Sequence, residues 1–326
     1  MTPATAAASV RPQILARRNR LQAAAGSVSA DYVRDLLAEV DAALARIDAG
    51  TWGICEICHD TIEADRLQAN PMVRFCLDHL SASERDAHQQ DLDLATQIQN
   101  KLLPPCDLTL KHWEAHYHYE PLGAVGGDYC AVTPLDEDGS LFIAVGDVSG
   151  KGVAASLLMT HLSAILRSLL SLRVPLPELM SRANRLFCEG TLGSHYATLV
   201  CGRATPGRIE LSNAGHCPPL VLRRDRVERV DCAGLPLGLF CGSEYPVTNV
   251  NLAAGESLVL YSDGLSEAEN ADGNQLGEAG LMDSLKRHCG AGAEALTHAV
   301  MQDVRRFRGS AHPADDVTLL VLSHRS

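Results

Sequence analysis

The chain has 326 residues, about the length of two domains, and 46% hydrophobic with 21% charged residues suits a globular core. Aromatics at 4% argue against stacking surfaces for single-stranded nucleic acid, and a net charge of −12 argues against a large phosphate-backbone footprint. Of the 11 cysteines, three form a metal-like pattern and the rest are scattered among apolar residues, which reads as a reduced, cytoplasmic protein and not a disulfide framework. The Ala-rich start is followed by Arg11, Arg17, Arg18 and Arg20, the wrong order for a signal peptide.

Residues 1–12 read as frayed. Helical patterns follow near 13–25 and 30–49, separated by Gly26-Ser27, with Leu36, Leu37, Val40, Leu44 and Ile47 at helical spacing. Cys55-x-x-Cys58 is followed, after 17 residues, by Cys76-x-x-His79. Two close pairs of this kind suit four-coordinate tetrahedral zinc and leave no open position, so a structural site is expected. His59, directly after Cys58, is the weaker alternative ligand. Ser81-x-x-Glu84 and Ser83-x-x-Asp86 signal the start of a helix that Pro104-Pro105 ends. Leu92, Ala95, Ile98 and Leu102 share one face of it, long enough for a homodimer contact of about two heptads.

The segment around the zinc ligands, from Ala42-Leu44-Arg46-Ile47 through Gly50-x-Trp52-Gly53 to Arg66-Leu67, Pro71 and Cys76, resembles the DksA/TraR-type zinc finger, with His79 in place of the usual fourth Cys. Members of that family with long coiled coils enter an RNA polymerase channel. The hairpin here has roughly 20 residues per arm, about 30 Å.

Beyond residue 113 apolar strand-like runs occupy 129–135, 141–146, 196–203, 208–213, 219–224, 256–262 and 317–322, with helical patterns at 153–171, 176–189, 278–289 and 293–308. Strands and helices cluster instead of alternating, which favours an α+β layered architecture over a doubly wound parallel sheet. The apolar run 153–170 is interrupted by Ser156, Thr160, His161, Ser163, Arg167 and Ser168 and reads as core, not as a membrane span. Three regions are expected: a helical hairpin with zinc finger at 1–80, a linker helix at 81–105 and a larger domain at 106–326.

Acidic residues recur where strands meet turns. Asp128 follows Gly126-Gly127, Asp147 follows Val145-Gly146, Asp263 ends the run Leu258–Ser262, and Asp315-Asp316 opens the run from Val317. Each is read as isolated from Lys and Arg, and residues 112–150 contain neither, so Asp128 and Asp147 have no local counter-charge. Carboxylates that converge without cations repel one another, and a hard divalent ion with all-oxygen ligands removes that penalty. Two such ions can activate a water and neutralise charge on a phosphoryl group, with no nucleophilic side chain needed.

This set resembles the PPM-type serine/threonine protein phosphatases in their SpoIIE/RsbU branch. The resemblance rests on Gly126-Gly127-Asp128, Gly146-Asp147-Val148-Ser149-Gly150-Lys151-Gly152, Asn213-Ala214-Gly215-His216, Leu235-Pro236-Leu237-Gly238, Ser262-Asp263-Gly264 and Asp315-Asp316-x-Thr318. It implies an α-β-β-α sandwich. It also implies two Mn2+ or Mg2+ ions, bridged by Asp147, joined by the Val148 carbonyl and held directly or through water by Asp128, Asp263, Asp315 and Asp316. The implied reaction is hydrolysis of phosphoserine or phosphothreonine, with a phosphorylated STAS-domain anti-anti-sigma factor as substrate in a partner-switching pathway. Asn213 to His216 read as scaffold, and Lys151 either approaches the phosphate or faces solvent. No phosphate-gripping Arg is evident. A non-catalytic scaffold and a transcription-associated zinc-finger binder are the alternative readings, and neither a membrane nor nucleic acid is expected as a partner.

Overall fold

The computed structural model describes residues 3–24, 30–80, 82–136, 138–191 and 193–325. The chain forms two compact units, Met1–Asp91 and Leu92–Ser326. The Gly26-Ser27 break and the Ser81 cap lie outside the described residues, as do the side chains of Ser83 and Glu84.

The first unit opens with helix α1 (Pro3–Ala24), so residues 3–12 are helical where fraying is expected. Alanine is the best helix former, and Val10 adds apolar contact to Ile14, which packs on Val40 and Ala43 of α2 (Ala30–Asp48). Arg11–Asp48 and Arg18–Asp41 ion pairs, at 3.1 and 2.6 Å, run along the hairpin. A short α3 (Ala64–Ala69) and a single tight turn at Leu77–His79 complete this part. Arg46 donates to the carbonyls of Met72 and Val73, and the Trp52 indole donates to the Pro71 carbonyl at 2.8 Å. Those bonds give the Arg46, Trp52 and Pro71 pattern a structural purpose. The boundary between the units falls inside α4 (Ala82–Leu102).

The second unit begins with β1 (Asp107–Thr109), β2 (Trp113–Glu120), β3 (Tyr129–Pro134) and β4 (Leu141–Val148). Helices α5 (Gly152–Leu170) and α6 (Leu176–Gly190) follow. Next come β5 (Ala197–Thr205), β6 (Arg208–Ala214), β7 (Leu220–Leu222), β8 (Val227–Arg229), β9 (Thr248–Asn251) and β10 (Ser257–Tyr261). The chain closes with α7 (Asp263–Ser266), α8 (Gly277–Arg287), α9 (Ala293–Arg308) and β11 (Val317–His324). The strands make two antiparallel sheets, ordered β1-β2-β11-β10-β7-β8 and β3-β4-β5-β6-β9.

Period-two alternation explains the layering. In β4, Leu141, Ile143 and Val145 face the inter-sheet core, while Phe142 and Ala144 face α5 and α6. In β11, Leu320 and Leu322 join the same inter-sheet core, and Leu319 and Val321 meet α8 and α9. The strands are apolar on both faces because both faces are covered, which gives the expected α-β-β-α sandwich. Helix α5 is long and apolar enough to cross a membrane by length and composition alone. Its Met159, Leu162, Leu166 and Leu169 are buried in the core.

Two further features of the fold depart from the sequence reading. Strand β2, reading Trp-Glu-Ala-His-Tyr-His-Tyr-Glu, is not expected because polar residues alternate through it, yet it pairs along its whole length with β11. Cys188 and Cys241, expected as reduced thiols, form a disulfide with a Cα–Cα distance of 5.9 Å. Asn184 sets that meeting: its side chain donates to the Phe240 carbonyl and accepts from the Gly238 amide, docking the 238–241 loop on the end of α6.

Candidate active site and thiolate cluster

The acidic residues gather at one end of the sandwich. Asp128 enters β3, Asp147 lies near the end of β4, Asp263 opens α7 just past β10, and Asp315 and Asp316 lead into β11. Because β4 and β11 lie in opposite sheets, the cluster spans both. Asp128 is almost wholly buried, and one of its oxygens accepts the Thr318 hydroxyl at 2.6 Å. Asp147 and the Val148 carbonyl face a common point: a Cβ on Gly127 would stand 3.3 Å from Asp147 Oδ1 and 3.2 Å from the Val148 oxygen. Gly264 is more tightly constrained, since a Cβ there would collide with the Asp316 carbonyl oxygen.

The electrostatics of this end are unfavourable to full ionisation. Burial, then the carboxylates of Asp263, Asp315 and Asp316, push Asp147 up to about 7 from an ordinary 3.8. Burial likewise raises Asp128 well above its usual range, with Asp147 and Asp316 adding to it against hydrogen bonds from Thr318 and Ser262. Burial and Asp315 raise Asp263. One cation answers part of this charge: Lys151 Nζ lies 2.9 Å from Asp315 and donates to the Ala314 carbonyl at 2.8 Å. The sequence reading has these aspartates free of Lys and Arg, so that pair is a correction. It arises because the turn after β4 brings Lys151 to the segment entering β11. An oxygen-only donor set with this much uncompensated charge fits divalent hard cations.

Asp316 stands apart. Both its oxygens accept main-chain amides, Leu122 at 2.7 Å and Gly127 at 2.6 Å. It therefore anchors the 121–128 loop, a task that competes with the ligand role the resemblance implies. The same loop is gripped from α4, a contact that sequence reasoning missed. The buried Gln99 amide donates to the Gly126 carbonyl at 2.7 Å and accepts the Gly126 amide at 3.1 Å, and Thr96 donates to the Ala124 carbonyl. A lone Gln on a polar helix carries no signal of this.

Asn213 behaves as scaffold. Its side chain accepts the His216 amide at 2.7 Å and donates to the His216 carbonyl at 3.0 Å. Burial holds His216 down to about 4, and its Nδ1 meets the Thr198 hydroxyl at 2.8 Å. Beside the acidic cluster lies an open cleft of about 250 Å³ whose lining includes Lys151, Asp315, Arg308 and His312. Arg308, in the last turn of α9, supplies a guanidinium that the sequence reading leaves unassigned.

In the first unit, ligand atoms of Cys55, Cys58, Cys76 and His79 all lie within 4.8 Å of one another. Cys58 and Cys76 sulfurs are 3.8 Å apart, the edge expected for two thiolates at about 2.3 Å from a tetrahedral zinc. The Cys76 sulfur lies 3.1 Å from His79 Nδ1. His59 stays outside the group, in a left-handed conformation with φ of 63°.

Comparison with known proteins agrees with this geometry. The phosphoserine phosphatase RsbU of Bacillus subtilis is 24% identical over 210 residues, covering 63% of this chain; the chain spans 61% of that relative's length. The RsbU and RsbW domains of Rv1364c from Mycobacterium tuberculosis align with a TM-score of 0.59 and 29% identity, over 66% of this chain and 60% of that one. The SiaA-PP2C domain of Pseudomonas aeruginosa shares the fold with a TM-score of 0.64 at 19% identity, over 74% of this chain and 99% of that one. The Stage II sporulation protein E (SpoIIE) family matches residues 137–325. That match covers more than half of the chain and takes in Asp147, Asp263 and Asp315, so the chain belongs to the SpoIIE family and carries a PP2C-like fold.

Proposed function

We propose that this chain is a metal-dependent phosphoserine/phosphothreonine protein phosphatase, with the larger domain as catalyst and the first 80 residues as a DksA/TraR-type zinc finger on a helical hairpin. The observation that carries this reading is the partly buried carboxylate cluster at the sheet ends, whose charge Lys151 balances only in part. Asp147, Asp128, Asp263 and Asp315, with the Val148 carbonyl, would hold two Mn2+ or Mg2+ ions. Bound there, the ions supply an acidified water and neutralise charge on a phosphoryl group.

The chain's own groups account for the rest. Gly127 leaves the floor of the site open to Asp147 and Val148. Lys151 and Arg308 offer positive charge to a phosphate entering the adjoining cleft, which can seat a short peptide segment. The substrate class we infer is a phosphorylated STAS-domain protein, on the strength of the RsbU resemblance, in a cytoplasmic partner-switching pathway.

Phosphate release from a phosphorylated STAS-domain protein in Mn2+ should therefore be abolished by chelation and fall by 100-fold or more in Asp147→Asn; activity that survives both ends the proposal.

Cation binding also predicts a pH signature. The folded-state value of Asp147 lies above its ordinary 3.8, so the ion-free protein holds an extra proton between about pH 4 and 7 and loses stability as pH rises through about 7. An ion takes the proton's place. The gain in thermal-unfolding midpoint from Mn2+ should thus be larger at pH 8 than at pH 6, and Asp147→Asn should flatten that difference. Equal gains at both pH values contradict it.

The zinc reading rests on the closely spaced thiols and imidazole. Elemental analysis should show the metal lost from Cys76→Ser with the larger domain still folded, and an unchanged zinc content refutes the assignment.

Helix α4 is proposed as the input. Of the stripe Leu92, Ala95, Ile98 and Leu102 read from the sequence, Leu102 packs on the core and Ile98 is exposed at 49%, with Leu94 one turn before it exposed at 56%, while Gln99 holds the 121–128 loop. A homodimer through the exposed pair would sense geometry that Gln99 passes to Gly126. Ile98→Glu should yield monomers by sedimentation. Gln99→Ala should leave assembly intact and reduce turnover by roughly 10-fold; full activity in Gln99→Ala removes this route.

A further inference from the structure

Away from the acidic centre, β2 presents an unusual row to α9. Trp113, Ala115 and Tyr117 point into the inter-sheet core, so alternation turns Glu114, His116, His118 and Glu120 toward the helix. Helix α9 runs along that row. The Glu114 carboxylate lies beside Gly292, the His116 and His298 rings stand 5.2 Å apart, and Arg305 pairs with Glu120 at 3.2 Å. Glu294 and His298 are four residues apart on α9, hence on one face. Ligand atoms of His116, Glu294 and His298 all fall within 4.8 Å of one another.

Two further observations single out His116. The residue is 8% exposed, and its Nδ1 is buried with no hydrogen-bond partner. Its other nitrogen, Nε2, lies 3.2 Å from Asp107 Oδ1, on the neighbouring strand β1 in direct register. A buried imidazole with one orphaned nitrogen is costly. A carboxylate behind the ring is the arrangement that orients histidines which ligate metals.

We propose that His116, Glu294 and His298 form a binding site for a borderline transition cation such as Zn2+, separate from both the acidic centre and the thiolate cluster. Two imidazoles and one carboxylate suit zinc, and three protein ligands leave a coordination position for water or a small anion. Ligands of one zinc stand about 3.4 Å apart in a tetrahedron. Rotamer changes at the exposed Glu294 and His298 close the remaining gap, while Asp107 fixes His116. The site would clip α9 to β2. Its softer donors separate it from the all-oxygen centre, which favours Mg2+ or Mn2+.

The test uses the full chain with the thiolate cluster loaded with zinc and millimolar Mg2+ present to occupy the acidic centre. Further Zn2+ is then titrated against a chromophoric chelator. The wild-type chain should take up one additional equivalent. His298→Ala, a surface change, should abolish it, and Glu294→Gln should weaken it at least 10-fold. Asp107→Asn, which removes only the orienting carboxylate, should weaken it about 10- to 100-fold. With Co2+ as probe, the added equivalent should show no thiolate charge-transfer band. An additional equivalent that persists in His298→Ala, or that vanishes in Asp147→Asn or Cys76→Ser instead, overturns the assignment, as does the absence of any additional equivalent.

Discussion

Mutual repulsion among carboxylates held in a poorly solvated place is the constraint on which the larger unit turns. Five aspartates converge at one end of two sheets, and Lys151 pairs with one of them, Asp315. Isolated in water such groups would spread apart; here the strands forbid it. Each acid sits within a strand end or within two residues of one, where the hydrogen-bonded ladder fixes the backbone. The rigid sandwich thus confines charge that the side chains alone would disperse, and a hard divalent cation would relieve the repulsion that this confinement keeps in place.

The supporting contacts show how the confinement is kept. Asp316 gives its oxygens to the amides of Leu122 and Gly127, and Gln99 closes on Gly126 from a different helix. Asp128 is steadied by Thr318, and Ser262 donates toward the same segment. Residues nearly 200 positions apart therefore determine one short loop. Burying polar groups in this way is stabilising only when each partner is present.

Much of this was legible in the sequence, for identifiable reasons. Apolar runs such as Leu141–Val145 and Val317–Leu322 announced strands because both faces of each sheet are covered. The Asp–Gly junctions announced the site because turns that end such strands leave few other places for a carboxylate. The thiolate spacing was readable because tight turns alone bring each pair together. What stayed hidden depends on tertiary partners. Strand β2 carries alternating histidines and acids, so its hydrophobic signal falls below that of an ordinary strand. Lys151 meets Asp315 across 164 positions, and the Gln99 clamp needs both α4 and the glycine loop in place. The pairing of Cys188 with Cys241 follows from the Asn184 bonds, which leave no trace in spacing.

The order of strands in the six-stranded sheet has a bearing on assembly. Its middle is β11, flanked by β2 on one side and β10 on the other, although β11 is made after every other strand. Until it inserts, β2 lacks its principal neighbour and β10 offers an open edge. Asp315 and Asp316 arrive with the same segment. The acidic centre is therefore whole only when β11 lies between β2 and β10, so that one strand both closes the sheet and completes the set of carboxylates.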